Sequence, residues 1–210
     1  MAAMIDLKHL PSNNDLPPVD TWKPDFCGDM DMLIKANGDW IHEGGKIHRS
    51  AMVKLFSRIL WHEDNEYFLV TPVEKVRIRV EDAPFLVNRW RTVETPQGAA
   101  IEFTTTTDDV MVLGVDTDLF MAPFYQKEQH QEEQLGGEQQ EEGQQGEGQQ
   151  GEGQQGEERP YIDMRYGMKA LIARNVFYAL AEQLQPVATQ AGSGQGIISA
   201  GKSYLLLKED

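Results

Sequence analysis

Apolar residues recur at helical spacing in two stretches and in short β-like runs elsewhere. From Ser50 to about Glu63, Val53, Phe56, Ile59 and Leu60 fall on one helical face with Leu55 beside them, the spacing of an amphipathic helix. Ser50 stands where a hydroxyl would cap the first turn. A second helix is predicted from about Met168 to Leu184, where Ile172, Val176 and Leu180 recur every fourth residue and Leu171, Phe177 and Leu184 flank them. Runs of β-branched and aromatic residues at Glu66–Thr71, Val73–Glu81, Phe85–Glu94, Ala99–Thr106 and Val110–Val115 read as strands. Gly196–Leu207 ends in an apolar strand. Residues 1–24, with Pro11, Pro17, Pro18 and Pro24, read as an extended lead-in.

The order of these elements repeats. Trp40-Ile41 precedes the first helix and Glu66–Val70 follows it; Tyr161-Ile162 precedes the second helix and Ser203–Leu207 follows it. This predicts an α+β fold of two related units made by internal duplication, residues 25–95 and 96–207. A helix between two strands favours a parallel crossover, but the short spacing across 73–94 favours hairpins. Each unit is therefore expected to be a mainly antiparallel sheet with one packed helix.

Charge separates an insert from this frame. Residues 126–159 are almost wholly Gln, Glu and Gly, with Gly-Gln-Gln-Gly-Glu repeated at 143–147, 148–152 and 153–157. Lacking an apolar stripe, the segment cannot offset the entropy of ordering and is expected to be disordered. It carries much of the formal charge of −15. The remainder is moderately acidic, which disfavours general nucleic-acid binding. No apolar run is long enough to span a bilayer, and Asp6 spoils a signal-peptide pattern. The single cysteine, Cys27, excludes an intrachain disulfide. Together these point to the cytoplasm.

Candidate chemistry lies in three polar clusters, at 40–49, 71–75 and 81–85. Gly196-Ile-Ile-Ser-Ala-Gly-Lys202-Ser203 spells a phosphate loop, but that device needs a following helix, and here a strand follows. His42, His48, His62, Glu63 and Asp64 lack the spacing of a metal site on one helix face, and Cys27 has no assigned base. No cofactor is implied. A hairpin centred on Ala83 would set Arg77 opposite Arg89 and Lys75 opposite Arg91. Such like-charge pairs need carboxylates, solvent or a bound anion to neutralise them. Arg49, Arg165 and Arg174 stand near the two helices, and arginine suits bidentate phosphate or carboxylate binding. Pro72, Pro84 and Gly45 fix turns.

These same residues resemble a bacterial family, domain of unknown function 1285. The resemblance rests on Ile34–Trp40, Gly44–Arg49, Leu55-Phe56, Leu69–Lys75 and Val80–Phe85 in the first half. Pro160–Ile162, Arg165, Arg174 and Ser199–Gly201 carry it in the second. It implies two α+β units, the second loosely like a pleckstrin-homology domain, and a nucleotide-like ligand in the cleft between them. The long insert departs from the family, which has a short connection there. A regulatory or signalling protein is expected, with Arg49, Lys75, Arg165 and Arg174 supplying charge to a small anionic ligand. Trp40 or Tyr161 would supply an aromatic face, and His42, Thr71, Glu74 and Asp82 complete the expected site. The alternatives are a protein-interaction module with an open strand edge, or a hydrolase using Glu74 or Asp82 with His42 or His48. Exposed strand edges also leave room for a homodimer.

Overall fold

Two six-stranded sheets with the same strand order organise the chain. The computed structural model describes residues 16–124, 157–190 and 192–208. The lead-in forms a 3-10 turn at Val19–Thr21. The first sheet comprises β1 (Phe26–Ile34), β2 (Trp40–His42), β3 (Gly45–Lys46), β4 (Leu60–Glu63), β5 (Glu66–Val70) and β6 (Lys75–Val80), with α1 (Ser50–Arg58) between β3 and β4. Its order is β3-β2-β1-β6-β5-β4. The second comprises β7 (Phe85–Thr95), β8 (Gly98–Thr105), β9 (Val110–Val112), β10 (Leu119–Phe124), β11 (Glu157–Asp163) and β12 (Lys169–Ile172). Its order is β10-β11-β12-β7-β8-β9. In each sheet two antiparallel meanders meet at a central parallel pair, β1 with β6 and β12 with β7. After the second sheet come α2 (Arg174–Ala181) and a three-stranded antiparallel sheet of β13 (Gln185–Thr189), β14 (Gly192–Ser199) and β15 (Lys202–Lys208).

The α+β class and the two related halves are therefore present, and most strand pairs are antiparallel. The repeat lies in the sheets rather than in the helices. α1 falls between the two meanders of its sheet, whereas α2 follows the second sheet. Phe85–Thr95, assigned above to the first unit, pairs with β8 and β12 and stands in the second sheet.

Alternation explains the strands. In β6, Val76 and Ile78 are buried while Lys75, Arg77 and Arg79 take the other face. Met32, Ile34 and Ile59 of the first half join Phe85, Val87 and Phe103 of the second in one continuous core. Asp64 and Asn65, both at positive φ, turn β4 into β5, as two-residue hairpins require.

That turn corrects the first helix. It ends at Arg58, and Leu60–Glu63 pair with Glu66–Leu69. Ser50 is not its cap; Arg49 holds that position and makes no side-chain capping bond. The second helix is also shorter, because Lys169–Ile172 pair with β7 and β11 before the chain turns helical at Arg174. The Ala83 hairpin does not form. β6 pairs with β5 and β1, β7 with β8 and β12, and residues 81–84 cross between the sheets. Its like charges are instead met by carboxylates: Arg77 by Asp29 and Glu66, Arg79 by Asp31, Arg89 by Asp108, and Arg91 by Glu102.

Residues 1–15 and 125–156, which hold most of the lead-in and of the Gln/Glu/Gly insert, lie outside the described residues. Glu157–Arg159, assigned above to the insert, belong to β11. Among the described residues no helix is long and apolar enough to cross a membrane.

Candidate functional site

The crossing between the sheets carries a buried charge. Asp82 has a side chain with 0% exposure, and it accepts hydrogen bonds from three groups of the second sheet. Tyr161 donates from its hydroxyl at 2.7 Å, Lys169 at 3.3 Å and Arg159 at 3.0 Å. Lys169 also sits 3.6 Å from the centre of the Tyr161 ring, and Arg159 lies 3.7 Å from that of Phe124. A carboxylate here is stable because it is paired and fully hydrogen-bonded. Two expected site residues, Asp82 and Tyr161, thus meet, but in a filled cluster. Arg159 and Lys169 were missed. The i, i+2 spacing of Arg159 and Tyr161 was the available signal, since it puts both on one strand face.

Burial, with the Asp82 bond next in weight, pushes the Tyr161 phenol well above its ordinary range. Tyr204, bonded to Asp118 at 2.6 Å, is raised for the same reasons. The folded state keeps these protons when the unfolded chain releases them near pH ~10. Stability should therefore be undiminished below about pH 10 and fall above it. Melting temperatures taken across that range check this, and a Tyr161→Phe variant should show a shallower decline.

Arg165 forms a second crossing. It donates to Asp109 at 2.5 Å and to the Ser57 carbonyl of α1 at 2.7 Å. Its guanidinium lies 4.7 Å from the centre of the Phe85 ring. Asp109 also accepts from Thr105 at 3.2 Å and Thr107 at 2.6 Å. The next residue, Tyr166, has a left-handed backbone with φ of 58° and packs its ring 4.9 Å from Trp61 of β4.

Trp61 belongs to an open groove of about 300 Å³. One wall is the lead-in, with Asp20, Trp22 and Lys23; the other is the β4–β6 meander, with Trp61 and Glu63 on the edge strand β4 and Lys75 at the start of the central strand β6. Val19, Phe68 and Val70 are buried together beside it, which anchors the lead-in. Trp61 donates its indole N–H to Glu63 at 2.8 Å, and Lys75 bonds the other Glu63 oxygen. The Lys75 bond, and then the indole bond, hold the Glu63 carboxyl below its usual range. Lys75 lies 4.2 Å from the centre of the Phe68 ring.

The residues expected to form one site are otherwise dispersed. Trp40 is a core residue stacked on Phe56 at 6.2 Å, so it offers no free face. His42 lies 3.0 Å from the Asp31 carbonyl. Thr71 is buried, and its hydroxyl accepts from the Val73 and Glu74 amides in a turn. Glu74 is half-buried in that turn. Lys75, Arg165 and Arg174 are paired with Glu63, Asp109 and Glu157. Arg49 is exposed and has no carboxylate partner among the described residues.

The phosphate-loop spelling is a hairpin turn between β14 and β15. A Cβ on Gly196 would lie 2.1 Å from the Tyr204 carbonyl oxygen, so close strand approach requires the glycine. The Ser199 hydroxyl donates to the Leu113 carbonyl and accepts from the Ile101 amide.

Comparison with known proteins matches this architecture to one family. The N-terminal domain described as "Domain of unknown function (DUF1285)" matches residues 17–83, ending in the crossing between the sheets, and the C-terminal domain of the same family matches residues 148–206. A DUF1285 family protein from Silicibacter pomeroyi DSS-3, known from a crystal structure, is 33% identical, with a TM-score of 0.70 over 93% of this chain and 90% of that one. A DUF1285 family protein from Shewanella baltica OS155 is 24% identical, with a TM-score of 0.47 over 74% of this chain and 94% of that one. No curated protein matches the chain. With both domain models matched in order and a third of residues shared with a solved relative over nearly the whole chain, this protein belongs to the DUF1285 family.

Proposed function

We propose that this chain binds a small anionic, nucleotide-like ligand and plays a regulatory part through it. The groove between the lead-in and the β4–β6 meander is the best place for that ligand. The supporting observation is its lining: two indoles, Trp22 and Trp61, and two ammonium groups, Lys23 and Lys75, alongside the carboxylates of Asp20 and Glu63, around a space of about 300 Å³. A planar ring can lie against an indole, and an anionic group can meet the lysines. The volume is at the lower end for small-ligand sites, roughly 300 Å³. Tyr166 packs behind Trp61 from the second half, which gives occupancy a route to that half. The loose pleckstrin-homology likeness of the second unit is part of this reading; the placing of α2 after the last strand of the second sheet supports it.

A binding role is favoured over hydrolysis. The oxygens of Asp82 are taken by Tyr161, Lys169 and Arg159, and His42 is held at the Asp31 carbonyl. The test is a thermal-shift screen with nucleotides, cyclic nucleotides and inorganic phosphate. A ligand that binds only the folded chain raises the melting temperature with concentration, by about 2.7 kcal/mol of stability at roughly a hundred times Kd. A nucleotide should give such a shift, and Lys75→Gln or Trp61→Leu should remove most of it. No shift across the panel, together with a co-purifying protein, would favour the interaction-module reading.

A further inference from the structure

We infer that Glu63 selects the ligand, and that the groove takes an anion whose ring also carries an N–H donor, an amino-substituted heteroaromatic anion. This rests on the groove reading above.

The groove is not simply basic. Its lining holds Asp20 and Glu63 as well as Lys23 and Lys75, so its formal charges cancel. A ligand bearing only negative charge would meet two carboxylates along with the two cations. The ammonium best placed for an anion is Lys75, whose side chain is only 19% exposed and already bonded to Glu63. An arriving anion competes with Glu63 for Lys75, and where it draws the ammonium towards itself it leaves one carboxylate oxygen without its charged partner.

That oxygen is in a defined place. The other oxygen of Glu63 is held by the Trp61 indole N–H at 2.8 Å. The carboxylate is thereby kept at the edge of the indole against which a ligand ring would lie. A donor on the rim of that ring can fill the vacated position. The two half-pairs then exchange: ligand anion to Lys75, ligand N–H to Glu63. Hydrogen bonds to a charged acceptor are stronger than neutral ones, so a ligand with the donor should outcompete one without it. Glu63 is 41% exposed and keeps access to water, which holds the expected advantage to about tenfold, the low end for a hydrogen bond to a charged group.

Two probes separate the contributions. Adenosine 5′-monophosphate and purine riboside 5′-monophosphate share ring system, ribose and phosphate, and differ by one exocyclic amino group. Titration calorimetry on the full chain should give the adenosine compound an affinity about tenfold higher, a difference of about 1.4 kcal/mol. In Glu63→Ala the two should bind alike, both still taken up by a freed Lys75. Equal affinities in the unaltered chain, or a preference that survives in Glu63→Ala, overturn the role of Glu63 while leaving the groove standing. Binding of neither compound, with no response to any nucleotide in the thermal screen, overturns the groove reading itself and this inference with it.

Discussion

Replacing Asp82 with alanine should lower the thermal midpoint by roughly 10 °C, from a loss of about 3–5 kcal/mol typical when one partner of a buried ion pair is removed and about 2–4 °C per kcal/mol in a chain of this size. The loss has three parts. The fully buried Tyr161 hydroxyl would lose its acceptor, and Lys169 and Arg159 would keep their charges without the carboxylate between them. The two cations are partly exposed, at 29% and 23%, and can turn towards water. The effect should therefore lie toward the low end of that range. Asp82→Asn should cost less, because an amide oxygen can still accept from Tyr161 while both ion pairs are lost. A circular-dichroism melt of the two variants checks this. Unchanged melting in Asp82→Ala would mean that the cluster contributes no net stability.

Arg165→Met should be nearly as damaging, with a different signature. The methionine fills similar space against Phe85 but leaves Asp109 a largely buried charge without its cation, and Ser57 loses its donor. A cost of about 3 kcal/mol is expected from breaking a pair of this kind. Because Arg165 ties α1 to the second sheet, the variant should also loosen the coupling between halves. Trp22, Trp40 and Trp61 report from the first half and Trp90 from the second. In urea, fluorescence and far-ultraviolet dichroism should then separate into non-coincident transitions. Arg165→Lys should not restore coincidence, since one ammonium cannot reproduce the forked contacts to Asp109 and Ser57. Coincident curves in Arg165→Met would remove Arg165 from the coupling.

How far the sequence could be read follows from where each signal lay. β5 to β9 were legible because one face of each strand is buried and the residue types alternate or cluster accordingly. β1 was not. Met30, Met32 and Ile34 did alternate with Asp29 and Asp31, but Gly28 and the aspartates weaken strand propensity. What supports those aspartates is Arg77 and Arg79 on a neighbouring strand nearly fifty positions on. The apparent continuation of the first helix through Leu60 failed because cross-strand pairing over the Asp64-Asn65 turn overrode a period that suited either structure. The polar cluster at 81–85 correctly marked a special place. Its partners Arg159 and Lys169 lie 77 and 87 positions away, so nothing local could name them. The groove was legible only through Lys75. Trp22 and Trp61 reach one another's neighbourhood because a buried Val19 pins the lead-in against the sheet, a fact of tertiary packing.

The central parallel pair in each sheet also sets an order of assembly. Meanders can zip locally, but β1 must wait for β6, and β7 for β12. Val87 pairs across the sheet from Ile172, and residues 125–156 fall within the loop that this pairing closes. Loop-closure entropy grows only with the logarithm of length, about 0.6 kcal/mol for each doubling, so the added residues raise the cost of that closure by a few tenths of a kcal/mol. The β10–β11 connection is thus a point where a chain of this topology can lengthen over evolutionary time with almost no thermodynamic consequence.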